Sequence, residues 1–255
     1  GLVGSEMCIR DSYDGVGFDY KWDLGWMHDT LEFCQTQPDL RPRDHGKLLW
    51  SMHYFSNEHY LLPLSHDEVV HGKAAIVQKM WGADECDKYA QARVMYLYMF
   101  THPGKKLNFM GNEIGQFREW DEKREQDWNL LDFPIHEAFY HYMKELNHLY
   151  LDHPALWEKD FNRDGFIWLD CHQEGRVIYA MQRMAGDQTV IGVFNFSAQP
   201  QNGYAVPLQK DGSYRVLLNS DWECFGGSKK REELVYENSC VLDLSPFSAV
   251  LLVNG

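Results

Sequence analysis

The sequence predicts an α/β part with a parallel sheet, followed by an all-β part built as an antiparallel sandwich. Apolar runs at residues 61–64 and 107–110 each end in a polar cluster, and helical patterns follow them. Such strand-helix alternation is typical of a parallel sheet covered by helices. From residue 166 onward the apolar runs are short and separated by turn signals, which is typical of an antiparallel sandwich.

The helices of the first part are predicted from spacing. Residues 26–35 have apolar side chains at helical intervals, and Pro38 and Pro42 are expected to end that helix. Residues 86–100 form a long helical pattern that Pro103-Gly104 stops, and residues 135–150 form the last helix. Residues 48–55 are rich in aromatic side chains and fit a helix or a strand, whereas residues 116–132 are a charged loop.

The second part is predicted from Pro154 onward, where the sequence pattern changes. Turn signals occur at Gln173-Glu174-Gly175, Ala185-Gly186-Asp187 and Lys210-Asp211-Gly212. The predicted strands are residues 166–169, 177–182, 189–196, 214–219 and 248–253. We therefore divide the chain into residues 13–152, the α/β part, and residues 153–255, the all-β part.

Residues 1–12 differ from the rest of the chain. They have no strand or helix periodicity, and we interpret them as a non-native segment that precedes the fold. The alternative is a divergent native loop.

Composition excludes several classes of partner. The 255 residues are 44% hydrophobic and carry a formal charge of −14. An acidic chain does not fit nucleic acid or an anionic membrane, because both bind basic faces. A neutral sugar polymer is compatible, and the 15% aromatic share suits stacking on sugars, although core packing accounts for most aromatic residues. The six cysteines have no paired spacing, so we expect free thiols and a cytoplasmic location.

The most informative stretch is residues 62–73, where polar residues directly follow the end of an apolar run. Ser65, His66, Asp67 and Glu68 follow the run directly. The carboxyl end of a buried parallel strand is where barrel enzymes place their chemistry, because the strand holds the side chain and the loop shapes a pocket. His66 and His71 are five residues apart, which does not match the i, i+4 histidine pair of a zinc-protease helix.

Three motifs, in order along the chain, resemble the alpha-amylase superfamily in the form carried by 1,4-alpha-glucan branching enzymes. The first is Lys21-Trp22-Asp23-Leu24-Gly25-Trp26-Met27-His28-Asp29-Thr30, and the second is Ser65-His66-Asp67-Glu68-Val69-Val70-His71-Gly72-Lys73. The third is Lys105-Lys106-Leu107-Asn108-Phe109-Met110-Gly111-Asn112-Glu113, together with Arg118-Glu119-Trp120. The resemblance implies that residues 13–152 are the C-terminal part of a (β/α)8 TIM barrel, with residues 61–64 and 107–110 as its seventh and eighth strands. It also implies an all-β C-terminal domain over residues 153–255.

The resemblance implies a retaining mechanism that uses three carboxylates. One carboxylate is the nucleophile, a second is the general acid, and a third stabilises the developing positive charge on the sugar. Asp67 matches the third, and His66 matches a histidine that hydrogen-bonds the same sugar. The motifs of the nucleophile and general acid would precede Tyr13 and do not occur in this sequence. The expected substrate is an alpha-glucan such as glycogen or amylose, and we expect neither a cofactor nor a metal.

Five further residues are candidate substrate contacts by position: Glu68, Asn112, Glu113, Trp26 and Asp29. Each has a structural alternative. Glu68 can pair with a cation such as Lys73, Asn112 and Glu113 can hydrogen-bond within their loop, and Trp26 and Asp29 can hold the preceding loop against the helix.

Three functions remain open from the sequence. The chain is expected to be the C-terminal portion of a branching enzyme, which transfers a 1,4-linked chain to a 6-hydroxyl, and to be inactive alone. The first alternative is a glucan hydrolase of the amylase type. The second is a non-catalytic glucan-binding remnant.

Overall fold

The computed structural model describes residues 18–171 and 175–255. The predicted non-native segment at residues 1–12 and most of the predicted turn at residues 173–175 lie outside these ranges. The helices are α1 (Leu24–Gln35), α2 (Gly46–Leu49), α3 (Glu85–Thr101) and α4 (Pro134–Asp152). The strands are β1 (Lys21–Trp22), β2 (Tyr60–Leu64), β3 (Lys105–Asn108), β4 (Phe166–Asp170), β5 (Ile178–Ala185), β6 (Gln188–Asn195), β7 (Gln201–Ala205), β8 (Ser213–Asn219), β9 (Val235–Glu237), β10 (Val241–Leu244) and β11 (Ser248–Asn254).

The first three strands form a parallel sheet in the order β1-β2-β3. β2 lies in the middle, with Leu61 beside Lys105 and Leu64 beside Asn108. Leu62 and Leu64 are fully buried, as expected of a central parallel strand. Within the described residues the sheet has three parallel strands and does not close into a barrel.

The predicted elements of this part are present, with shifted bounds. β3 ends at Asn108, so Phe109 and Met110 of the predicted strand lie beyond it. Pro38 and Pro42 do not simply end α1, because residues Pro38–Arg43 form a 3-10 helix of their own. Residues 48–55 are helical rather than extended, since α2 is followed by the 3-10 helix Trp50–His53.

The predicted all-β part contains eight antiparallel strands in two sheets. The larger sheet has the order β4-β5-β6-β11-β8-β9, and the smaller one pairs β10 with β7. All five strands predicted from the sequence belong to the larger sheet. β7, β9 and β10 were not predicted, because they are three to five residues long and contain exposed polar positions.

The six-stranded sheet is buried on both faces. In β5, Tyr179 and Met181 belong to the core shared with the helices, whereas Ile178 and Ala180 face the core shared with the small sheet. Because successive strand residues point to opposite faces, this alternation makes a three-layer arrangement of helices, large sheet and small sheet.

Helix α3 is the centre of the helical layer. All residues from Ala92 to Thr101 are buried, and burial on every side is typical of a helix surrounded by protein. Asp84 caps its first turn by accepting a hydrogen bond from the Asp87 amide at 3.1 Å. α3 contacts α4 on one side and strands β6 and β11 on the other. The parallel sheet and the sandwich therefore share one continuous hydrophobic core.

Candidate active site

The site lies where the adjacent parallel strands β2 and β3 end. The Phe109 amide donates to the Leu64 carbonyl at 2.9 Å, so the two strands end at the same level of the sheet. Residues His66–Val69 then form a 3-10 turn after β2, and Asn112–Ile114 form another after β3. The sequence prediction that both strands end in polar clusters therefore agrees with this arrangement.

His66 and Asp67 lie side by side and open to solvent. His66 Nε2 is 3.2 Å from Asp67 Oδ1, and the side chains are 46% and 62% exposed. The rings of Phe109 and Trp120 lie 5.7 and 6.1 Å from the His66 ring. The Phe109 and Trp120 rings also pack against each other, with centroids 5.3 Å apart, and contact with this aromatic pair restricts the imidazole while its polar edge stays available. The pair can thus offer a carboxylate and a ring nitrogen to the hydroxyl groups of a bound molecule.

An open cavity of about 470 Å³ contains this pair. Its lining residues are His66, Asp67, Val70, His71, Arg118, Glu119, Trp120, Asp121, Glu122 and Arg124. The walls come from the loop after β2 and from the charged loop at residues 116–132. Both signs of charge are present, which suits a neutral polar ligand better than a strongly charged one.

Arg118 and Glu119 organise the second wall through hydrogen bonds, and no role was predicted for either residue from the sequence. The Arg118 guanidinium donates to both Asp127 carboxylate oxygens, at 3.0 to 3.3 Å. The Glu119 carboxylate accepts the amides of Gly72 at 3.0 Å and Ala74 at 2.7 Å, and these bonds hold the pKa of Glu119 below its ordinary value. The Arg118-Glu119-Trp120 motif was visible in the sequence, but the amides that Glu119 accepts lie 47 and 45 residues away.

Glu68 and Asn112 are buried and have structural partners. Glu68 Oε1 lies 3.6 Å from the Lys73 ammonium, which is the pairing considered as the alternative to substrate contact. The side-chain NH₂ group of Asn112 donates to Asn108 Oδ1 at 3.1 Å and to the Leu64 carbonyl at 3.4 Å. It thereby ties the loop after β3 to the end of β2.

Glu113, Trp26 and Asp29 do not line the cavity. Glu113 is half-buried and close enough to Tyr96 to contribute to the raised pKa of that phenol, after the larger effect of burial. Trp26 is only 1% exposed, and its ring lies 6.0 Å from His102 in the core. Asp29 lies on α1, where burial and then Glu32 raise the pKa of its carboxyl.

The first motif has a structural role through Asp23. Its carboxylate caps α1 by accepting the Trp26 amide at 2.8 Å, and it also accepts the Tyr54 hydroxyl at 2.8 Å. Burial nevertheless raises the pKa of Asp23, because desolvation outweighs these hydrogen bonds. The cap sets the start of α1 directly after β1.

The described residues contain no group of three or more histidine, cysteine or acidic side chains arranged to hold a metal ion. The thiols of Cys34, Cys86, Cys171, Cys224 and Cys240 are free. None of the helices in residues 18–171 and 175–255 has both the length and the apolar character needed to cross a membrane.

Comparison with known proteins identifies relatives along most of the chain. Residues 168–255 match the family described as alpha amylase, C-terminal all-beta domain. The chain is 45% identical, over 91% of its length, to a protein of Oceanobacillus iheyensis named 1,4-alpha-glucan branching enzyme GlgB, and it covers 38% of that protein. A protein of Salinibacter ruber with the same name is 41% identical over 94% of the chain, which covers 40% of it. The resemblance predicted from the motifs is thus confirmed, and the chain spans about two fifths of the length of these curated relatives.

Two solved structures have a similar fold at low sequence identity. A pullulanase from Anoxybacillus sp. LM18-11, complexed with maltotetraose, superposes with a TM-score of 0.63 at 14% identity. The superposition covers 92% of this chain and 35% of the pullulanase chain. An alpha-amylase from H. orenii superposes with a TM-score of 0.62 at 16% identity. The superposition covers 94% of this chain and 49% of the amylase chain. Both likenesses extend over the parallel sheet as well as the sandwich.

Proposed function

We propose that this chain, which is similar to the C-terminal region of 1,4-alpha-glucan branching enzymes, forms part of such an enzyme and supplies one of its three catalytic carboxylates. The observation that carries the proposal is the exposed His66-Asp67 pair at the end of a parallel strand, within a segment related to those enzymes. The reaction breaks an alpha-1,4 link and joins the released chain to a 6-hydroxyl, which forms an alpha-1,6 branch in glycogen or starch.

The architecture of the proposed enzyme is supported by the same comparison. β2 and β3 correspond to the seventh and eighth strands of a (β/α)8 barrel, of which residues 13–152 are the last part. Residues 153–255 are the all-β C-terminal domain. The parallel order β1-β2-β3 and the amylase-type folds that cover this region support this assignment. The free thiols support a cytoplasmic location.

Asp67 acts in the proposed mechanism as an electrostatic stabiliser. Positive charge develops at the reacting carbon as the glycosidic bond breaks, and a fixed carboxylate beside the ring lowers the energy of that state. His66, packed against Phe109 and Trp120, hydrogen-bonds a hydroxyl of the same ring and keeps it beside Asp67. The nucleophile and general acid come from the part of the enzyme outside this chain, so the chain alone does not catalyse branching.

The other candidate substrate contacts have unequal support. Glu68, Asn112 and Trp26 are buried, so we assign them to the support of the site. Contact of Glu113 or Asp29 with a longer glucan remains a prediction.

The test compares transfer with hydrolysis in the complete protein that carries this chain. Incubation with amylose is expected to produce 1,6 branches and to reduce iodine staining, with few new reducing ends. A stoichiometric rise in reducing ends without branches would support the hydrolase alternative. Binding to amylose with neither product would support the non-catalytic one.

A further inference from the structure

The loop that follows the His66-Asp67 pair has an unusual backbone. His71, Gly72 and Ala74 have φ angles of 59°, 81° and 64°. Glycine adopts this left-handed region readily, but histidine and alanine do so only at an energetic cost, because their Cβ atoms approach the backbone closely. Such a conformation persists only where surrounding contacts impose it.

The Glu119 carboxylate provides those contacts. Its two oxygens accept the two amides that flank Lys73, Gly72 N to Oε2 at 3.0 Å and Ala74 N to Oε1 at 2.7 Å. One side chain, far away in sequence, thus bridges two left-handed residues of the loop. Hydrogen bonds to an ionised acceptor are stronger than those between neutral groups.

Other contacts hold neighbouring positions and not these two amides. The Lys79 ammonium donates to the Lys73 carbonyl, and the Trp120 amide donates to the Val69 carbonyl at 2.9 Å. Lys73 itself reaches Glu68 at 3.6 Å. These bonds keep the loop near the charged segment, whereas the orientation of the Gly72 and Ala74 amides depends on Glu119.

The position of this loop determines the shape of the cavity. Val70 and His71 form one wall beside Asp67, and Arg118, Glu119 and Trp120 form the opposite wall. Glu119 is therefore a side-chain link between the two walls, beside the backbone bond from Trp120 to Val69. A change at Glu119 alters the width of the cavity without removing a side chain of the His66-Asp67 pair.

We propose that Glu119 is a positioning residue, whose carboxylate clamps the His71–Ala74 loop and thereby shapes the part of the cavity that receives the glucan. This inference rests on the proposed function for the identity of the ligand. Because Glu119 acts through the loop, its removal raises KM for the glucan and affects kcat much less.

The test uses Glu119→Gln in the complete protein, with Glu125→Gln as a matched control on the exposed part of the same charged loop. Glutamine keeps the size of the side chain, but it has one acceptor oxygen, and its NH₂ group opposes an amide donor. We expect hydrogen exchange at residues 70–75 to accelerate about tenfold or more, and KM for amylose to rise about tenfold with kcat within about twofold. The control Glu125→Gln is expected to leave the exchange rates, KM and kcat unchanged.

The outcomes separate this inference from the proposed function. Unchanged exchange at residues 70–75 in Glu119→Gln overturns the clamp, whatever the activity. Faster exchange with an unchanged KM overturns its role in shaping the glucan site. A wild-type complete protein that forms no branches refutes the proposed function and with it the glucan role, while the exchange measurement still decides whether Glu119 holds the loop.

Discussion

The Arg183 guanidinium donates to the Asp160 carboxylate at 2.8 Å, and both side chains are almost completely excluded from solvent. Arg183 lies on strand β5, and it also donates to the Thr101 carbonyl at the end of α3, at 2.9 Å. Asp160 is in addition 3.0 Å from Lys105 of β3. This buried group therefore joins the parallel sheet, the central helix and the sandwich.

Two other buried arginines connect the same layers. Arg41 donates to the Phe196 carbonyl at 2.7 Å, and Arg93 donates to the Ser220 carbonyl at 2.7 Å. Burial lowers the pKa of both guanidinium groups, yet each donates to at least one buried carbonyl oxygen. The helical layer and the large sheet are thus joined by directional bonds as well as by apolar packing.

Arg183→Met is expected to destabilise the chain by about 3–5 kcal/mol, because it leaves Asp160 buried with one cation instead of two. Urea unfolding followed by circular dichroism measures this free energy. Arg215→Met, at an exposed position of β8, is the control and is expected to cost less than about 0.5 kcal/mol. A loss below about 1 kcal/mol for Arg183→Met would contradict the structural role of the pair.

His102 is expected to make the fold sensitive to acid. Ser51 Oγ lies 2.7 Å from Nε2 and the Pro103 carbonyl lies 2.6 Å from Nδ1, so a neutral ring with its proton on Nδ1 satisfies both partners. Burial lowers the pKa of His102 from 6.5 to about 3. The unfolded chain therefore binds more protons than the folded one below pH 6.5. As the pH falls from 6.5 towards 3, this group lowers the free energy of unfolding by about 1.4 kcal/mol per pH unit.

His102→Gln tests this acid sensitivity. The variant is expected to be less stable than the wild type at pH 7, because one of the two bonds is lost, but to lose less stability between pH 6.5 and pH 4.5. His148→Gln, at an exposed position of α4, should keep the slope of the wild type. Equal slopes in all three proteins would show that another group causes the acid sensitivity.

Asp67→Asn in the complete protein is expected to reduce kcat for branching by about 10² to 10³ or more, because it removes an electrostatic stabiliser of the transition state. Folding stability should change little, since the Asp67 side chain is 62% exposed. Branch formation on amylose and thermal unfolding are the two measurements, with Asp211→Asn on the sandwich surface as control. Near-normal turnover in Asp67→Asn would remove this carboxylate from the catalytic set.

The Glu119 clamp is expected to open in acid. Its hydrogen bonds to Gly72 and Ala74 lower the pKa of Glu119 below the ordinary 4.5, so their contribution is complete above about pH 4.5 and is lost as the pH falls through the lower folded-state value. Protection of residues 70–75 from hydrogen exchange, corrected for intrinsic rates, should fall over this acid range in the wild type. Glu119→Gln should show low protection at every pH, and a wild-type profile that does not change in acid would contradict the clamp.

The sequence by itself determined the order of the long helices and of the longer strands, and the location of the His66-Asp67 pair. Apolar runs that end in polar clusters are local patterns, and helical spacing at residues 86–100 predicts α3 without knowledge of its neighbours. The motifs also identified the related enzymes, because each motif is a contiguous stretch of sequence.

Only the tertiary structure decided where several of these residues lie. β3 begins at Lys105, two residues before the predicted start, because Lys105 reaches Asp160 and Lys106 donates to the His102 carbonyl at 2.6 Å. In the sequence both lysines are typical of a loop. Trp26 was a candidate for an open groove and is instead buried beside His102.

Glu119 shows the physical reason why some features were predicted from the sequence and others became known only from the folded structure. Its carboxylate accepts backbone amides 47 and 45 residues away, and no local pattern contains such a contact. Periodicity and turn chemistry act between neighbours in the chain and are therefore readable from the sequence. The position of the loop beside Asp67 depends on a contact between two distant segments, so it became known only when the chain was seen folded.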